Sequence, residues 1–167
     1  KKKETIEIEA NTTSHLVLST INDEVKRTVL KVSKILYLTY TNFFKEHYKE
    51  LRKLKKEAKE LSREIKEIRE RIPETLRRFN ETEFRSGHHY VQVVEYMKEM
   101  TTILYHITLP AYNHLDNNHP VDKEQAEELV EFNDKTSEFF NYVINTLKNP
   151  KTDNHEELNQ RRDEIIK

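Results

Sequence analysis

Cysteine is absent from the 167 residues, so neither a disulfide nor a thiolate metal ligand can exist. The lack fits a reducing compartment. The only glycine is Gly87, which excludes the Gly-rich loops that cradle phosphate in P-loop and dinucleotide-binding proteins. No Ser sits in a Gly-x-Ser-x-Gly elbow and no Cys replaces it, so nothing suggests a nucleophilic triad. There are only four prolines. A long sheet protein draws its many turns from Gly, Pro and Asn, so a shortage of breakers predicts a few long helices. No apolar run approaches the ~18 residues of a membrane span, and no signal peptide is visible. An excess of either charge is also missing: the formal net charge is -1 and the pI ≈ 6.8, not the balance of a general nucleic-acid binder.

Charged residues make up 35% of the chain and hydrophobic residues another 35%. Both fit only if they sort onto opposite helix faces. The charges are not spread evenly. Residues 45–78 hold 13 Lys and Arg against 8 Asp and Glu, whereas residues 116–167 hold 7 against 13. Solvated faces that attract each other weakly account for this. The sharper alternative is a basic face toward an anionic membrane surface.

Residues 1–10 (KKKETIEIEA) read as a tail or juxtamembrane linker, with a brief extended alternation at Thr5–Ile8. The opening Lys1-Lys2-Lys3 is what a cytoplasmic segment just after a membrane helix often carries. A start at Lys1 in place of Met leads us to expect a processed or excised piece. The first helix should begin among the N-cap residues Asn11–Ser14. Leu18, Ile21, Val25, Val29, Val32, Leu36 and Phe43 then keep a three-or-four spacing, and a turn is expected near Lys45–Tyr48. The second helix has a narrow 3,4 seam of coiled-coil type, Leu51, Leu54, Ala58, Leu61, Ile65, Ile68, Ile72 and Phe79. Pro73 should kink it, and Ser86-Gly87 should end it. The third helix, near His88–Leu109, carries apolar residues over a wide arc, so it must touch two or more partners. Pro110 bends or ends it, with a last turn at Tyr112–Leu115. Asn117-Asn118-His119-Pro120 is a loop by composition. Asp122 caps the fourth helix, with Gln125 at the capping-box position, and Asn149-Pro150 ends it. A short fifth helix follows Asp153. The expected fold is all-α: an antiparallel up-down bundle of four long helices over 11–150, joined by short loops, plus a C-terminal helix over 151–167.

Helical di-iron enzymes need Glu-x-x-His on two helices. The nearest match, Asp116-x-x-His119, falls in a loop, and His-Glu-x-x-His is missing. What remains is one polar strip on the third helix. His88, Gln92, Glu95, Glu99, Thr102 and His106 project within roughly 80° of each other. Glu95 and Glu99 are i, i+4, so both carboxylates can reach one divalent or ferric ion, and imidazole such as His106 suits the same ions. On the fourth helix Asp134 and Glu138 repeat the spacing, and would be further ligands if the two helices are adjacent. Solvated polar faces account for both sets equally. His88 and His89 suit either ligands or helix-start surface residues. Asn117, Asn118 and His119 suit either a tight corner or a partner contact.

The run His88-His89-Tyr90-Val91-Gln92-Val93-Val94-Glu95-Tyr96-Met97, continuing to Tyr112-Asn113-His114-Leu115-Asp116-Asn117-Asn118-His119, resembles the soluble C-terminal domain of bacterial inorganic phosphate transporters of the PiT family, in the form with a PhoU-like tail. The likeness is strongest over 86–135 and weaker across 11–150. It implies a PhoU-like bundle on the cytoplasmic face of a membrane, regulating phosphate uptake without catalysis. Its partner would be the transmembrane domain of the same polypeptide or another transport component. The N-terminal end would be membrane-adjacent, and a second copy would complete a homodimer. The resemblance also implies metal binding through a Glu/Asp-x-x-x-Asp motif, for which Glu95 and Glu99 are the matching pair. The second position is Glu where the family has Asp, and Lys98 stands where a small residue is usual. The competing expectation is a free-standing PhoU-like or coiled-coil adaptor for a protein partner, with a metal held on acidic residues.

Overall fold

The computed structural model describes residues 2–79, 83–117, 122–149 and 155–166. Six helices account for nearly all of them: α1 (Lys2–Phe44), α2 (Tyr48–Glu70), α3 (Ile72–Leu76), α4 (Phe84–Asp116), α5 (Lys123–Lys148) and α6 (His155–Ile166). No strand occurs among the described residues. None of their helices is long and apolar enough to cross a membrane.

The narrow seam of α2 is spent on the interior. Leu51, Leu54, Ala58, Leu61 and Ile65 are all buried, while the Lys, Arg and Glu between them face solvent. α4 packs along both α2 and α1, α5 lies on α1, and α6 lies on α5. The register follows from the contacts. Ile21 shares a cluster with Ile65, Tyr90, Val94 and Met97. Val32 and Leu36 share another with Leu51, Leu54, Leu61, Leu104 and Tyr112. Late residues of α1 therefore meet early residues of α2 and late residues of α4. On the other flank Phe132 meets Tyr40 edge-on, and Asn133 donates to the Tyr37 carbonyl at 3.5 Å.

Between the two clusters sit Thr28 of α1 and Thr101 of α4, both fully buried. Thr101 donates to the Lys98 carbonyl at 3.1 Å. The Thr28 hydroxyl has no hydrogen-bond partner among the described residues. An unpaired buried hydroxyl is a net cost, so Thr28→Val should stabilise the chain by about 1 kcal/mol. Equilibrium urea unfolding checks this, and an equal loss of stability would mean that the hydroxyl is in fact paired.

The α1–α2 connection is a tight reversal without glycine. The His47 N–H bonds to the Asn42 carbonyl at 2.8 Å and the Glu46 N–H to the Phe43 carbonyl at 3.0 Å, the pattern that closes a helix with a left-handed residue. That residue is Glu46, at φ 54°. A side chain there costs about 1 kcal/mol relative to glycine, so Glu46→Gly should raise the unfolding midpoint by a corresponding amount in a thermal melt.

Several boundaries differ from those expected. The first helix starts at Lys2, not at Asn11–Ser14, and residues 2–10 are helical; no Gly or Pro interrupts the run from Lys2 to Phe44. The second helix does not kink through Pro73 but breaks. α2 ends at Glu70, Arg71 caps it, and Pro73 lies in the first turn of α3, where its missing N–H is not needed. Ser86-Gly87 do not end a helix but lie inside α4. Gly87 is buried under α3: a Cβ there would stand 3.2 Å from Leu76 Cδ2, so its lack of a side chain serves a close approach. Pro110 is carried within α4 without ending it. Asp122 does cap α5, its Oδ1 accepting from the Glu124 N–H at 2.9 Å.

Candidate functional site

The polar strip of α4 comes out on the surface. His88, Gln92, Glu99 and His106 are exposed, and Glu95 and Thr102 are half-buried. Glu95 is already engaged across to α2, accepting from Arg69 Nε at 2.6 Å. Thr102 turns its hydroxyl back to the Lys98 carbonyl at 2.8 Å. His106 lies beside the Tyr105 ring. His89 is exposed. His88 lines a cavity of about 370 Å³ where α3 meets the start of α4, with Leu76, Phe79, Phe84, Gly87 and Val91.

The carboxylates of α5 do not join this strip. α5 buries Asn133, Thr136 and Ile144 and packs on α1, not along α4. Asp134 and Glu138 project to the opposite side and are exposed. The adjacency that a shared ion would need is not formed. Among the described residues no three His, Asp or Glu side chains are placed to hold a metal ion. Glu95, Glu99, His106, Asp134 and Glu138 are therefore not assembled into one centre. Asn117 closes the end of α4, its N–H bonding to the Asn113 carbonyl at 3.0 Å. Asn118 and His119 lie outside the described residues, as does the side chain of Gln125.

The splayed placement of α5 leaves an open groove between α4 and α5, floored by α1. It has a volume of about 310 Å³ and is lined by Val32 and Leu36 of α1, Met100, Ile103 and Ile107 of α4, and Phe140 of α5, with Tyr96 and Glu99 at its edge. Tyr96 is 67% exposed and Ile103 50% exposed, on a helix whose other apolar residues are mostly covered. Glu99 is the sole charged residue of the lining. The groove can take an apolar side-chain face. It offers no paired acid and base for proton transfer. The wide apolar arc of this helix was the signal in the sequence; Phe140 had none, because nothing in the spacing of α5 says which neighbour it lies beside.

Electrostatic ties hold the helices around this floor. Arg27 of α1 bonds Glu24 on its own helix and reaches Glu64 of α2 at 2.9 Å, with Lys31 at 3.5 Å from the same carboxylate. Desolvation pushes the Glu64 carboxyl up, but the hydrogen bond from Arg27 and the charge of Lys31 outweigh it and hold the group below its ordinary value. A carboxyl depressed in the folded state adds stability above its unfolded pKa, and that stability is lost as pH falls through the folded pKa. The pair is well exposed, so Glu64→Gln should cost only about 0.5 kcal/mol at neutral pH. It should also flatten the fall in stability below about pH 4.5, as read from melts across pH. At the far end Tyr48 and Tyr112 share a hydrogen bond of 2.7 Å, and Lys55 stands 3.5 Å over the Tyr112 ring. The bonds to Tyr112 and then Asp116 push the Tyr48 hydroxyl well above its ordinary value. Ser14 donates to Glu83, tying α1 to the start of α4.

No known protein family matches the chain. No curated protein matches its sequence, and no solved structure matches its fold.

Proposed function

We propose that this chain is a PhoU-like regulatory domain, an up-down bundle that modulates an inorganic phosphate transporter by contact and without catalysis. The observation that carries the contact mode is the groove beside Tyr96, Met100 and Ile103, because exposed aromatic and aliphatic residues on a central helix are what a partner's apolar face covers. The phosphate-transport part rests on the resemblance of residues 86–135. The stretch that bears it forms most of α4, the helix that also supplies most of the groove. The partner on this reading is the transport domain of the same polypeptide, at the cytoplasmic face of its membrane. Sequencing the parent gene upstream of the Lys1 codon tests it. A series of ~20-residue apolar segments is expected. An initiator Met a few codons upstream would sink the transporter reading.

The free-standing adaptor is the second reading. The α2 seam, which suggested a coiled-coil contact, is buried within the chain, so an adaptor would use the groove as well. The two readings part on phosphate uptake. Changing Tyr96 and Ile103 to Asp in the full-length parent should alter uptake kinetics if the domain regulates transport, and leave them unchanged if it does not.

A further inference from the structure

Two charged faces of equal length and opposite sign lie on different flanks of the molecule. On α2, Lys49, Arg52, Lys53, Lys56, Lys59 and Arg63 are all exposed and project within about 120° of each other, opposite the buried seam. Between Lys49 and Arg63, Glu60 is the one acid within that arc, and Glu67 and Glu70 follow on the same side beyond Arg63. On α5, Glu124, Glu127, Glu131, Asp134 and Glu138 are all exposed and project within about 80°, opposite Asn133, Phe140 and Ile144. Each face spans fourteen residue steps, about 21 Å along its helix. Neighbours neutralise them only in part: Glu50 takes Lys53 at 2.7 Å, Glu67 lies 3.8 Å from Arg63, and Lys135 takes Glu131 at 2.8 Å. Lys49, Arg52, Lys56, Lys59, Glu127, Asp134 and Glu138 form no ion pair among the described residues.

The two faces cannot meet within one molecule. α2 is reached from Arg27 and Lys31 of α1, and α5 from Tyr37 and Tyr40, positions about 130° apart around α1. We propose that copies of this chain associate head to tail, the basic face of α2 in one seated on the acidic face of α5 in the next. The matched lengths and opposite signs select a second copy as the occupant. Because the faces point to different flanks, one two-fold pair cannot satisfy both, so the contact is heterologous and adds copies one after another into a row or a closed ring. It is electrostatic, since neither stripe contains an apolar residue, and so it is weak and sensitive to salt. This inference is independent of the groove and of the transporter reading.

Sedimentation velocity of the full chain at about 10 mM and about 500 mM salt tests it, because the screening length falls several-fold between them. The average mass should rise with protein concentration at low salt and return to 20.2 kDa at high salt. Two reversals sharpen the test: R52E/K56E/R63E on α2, and E127K/E131K/E138K on α5. Each alone should stay monomeric at low salt, because its altered face keeps almost no net charge: three acids then stand against Lys49, Lys53 and Lys59, or three lysines against Glu124 and Asp134. An equimolar mixture of the two should associate again. A wild-type chain that stays monomeric at low salt and millimolar concentration overturns the proposal. So does association that either reversal leaves unchanged. Binding of the monomeric chain to phosphatidylserine vesicles, lost in the α2 reversal alone, would overturn it in favour of a lipid surface. If circular dichroism finds one reversal unfolded, the salt titration of the wild type and the other reversal still decide.

Discussion

Val94→Asp should abolish the fold at neutral pH and give part of it back on mild acidification. Val94 is completely buried on α4, against Ile21, Ile65, Tyr90 and Met97. The residues that pack this cluster are hydrophobic, with the Tyr90 hydroxyl the one polar side-chain group among them, so none of them supplies a cation to the new carboxylate. An unpaired charge at such a site costs several kcal/mol and drives its own neutralisation. That is most of the ~5–15 kcal/mol that holds a domain together. The sign of the pH dependence follows from linkage. A carboxyl whose folded pKa is raised destabilises the fold above its unfolded pKa, and the penalty shrinks as pH falls toward that value. Helical ellipticity at pH 7 and about pH 4.5 reads both effects. A variant as helical as the wild type at pH 7 would mean that the α1–α2–α4 interface admits water at this layer.

Leu61→Ala should cost about 3 kcal/mol. Leu61 is 1% exposed and belongs to the cluster of Val32, Leu36, Leu54 and Leu104. Truncation removes the transfer free energy of the lost methyl groups and leaves a cavity that neighbours on three helices cannot close together, which puts the cost in the range of about 2–5 kcal/mol. In a chain of this size that lowers the melting temperature by roughly 6–12 °C. Leu16→Ala is the matched control. Leu16 is 66% exposed, so the same chemical deletion should change stability by less than about 0.5 kcal/mol. Equal effects at the two positions would show that α1 and α2 are not packed in this register.

Leu61 and Val94 owe their burial to different causes. That Leu61 is interior was legible from the spacing of Leu51, Leu54, Ala58, Leu61 and Ile65 among charged residues, because a helix of 3.6 residues per turn can bury only such a stripe. That Val94 is fully covered while Tyr96 and Ile103 on the same helix are exposed was not legible. All three belong to one wide apolar arc, and periodicity says how much surface a helix must cover, not which neighbours cover it.

The amino-acid sequence by itself determined that this protein is helical, that α2 turns one narrow face inward, that a reversal lies near Lys45–Tyr48, and that Asp122 starts α5. These follow from local chemistry: 3.6-residue periodicity, capping hydroxyls and carboxylates, and a shortage of breakers. It misjudged the breakers it does contain. By local chemistry Pro73 predicts a kink and Gly87 a stop. The break falls at Arg71 and α4 runs through Gly87, because Leu76 of α3 packs where a side chain at 87 would stand. The reversal at Glu46 had no glycine to announce it, since the bonds from Glu46 and His47 to α1 hold an ordinary residue at positive φ. Tertiary structure alone decided that α5 lies on α1 and not along α4. That one choice separates Asp134 and Glu138 from Glu95 and Glu99, opens the groove beside Ile103, and turns an acidic face away from the basic one. Which of two helices a third packs upon depends on surface complementarity summed over many weak contacts, and no short stretch of sequence carries that sum.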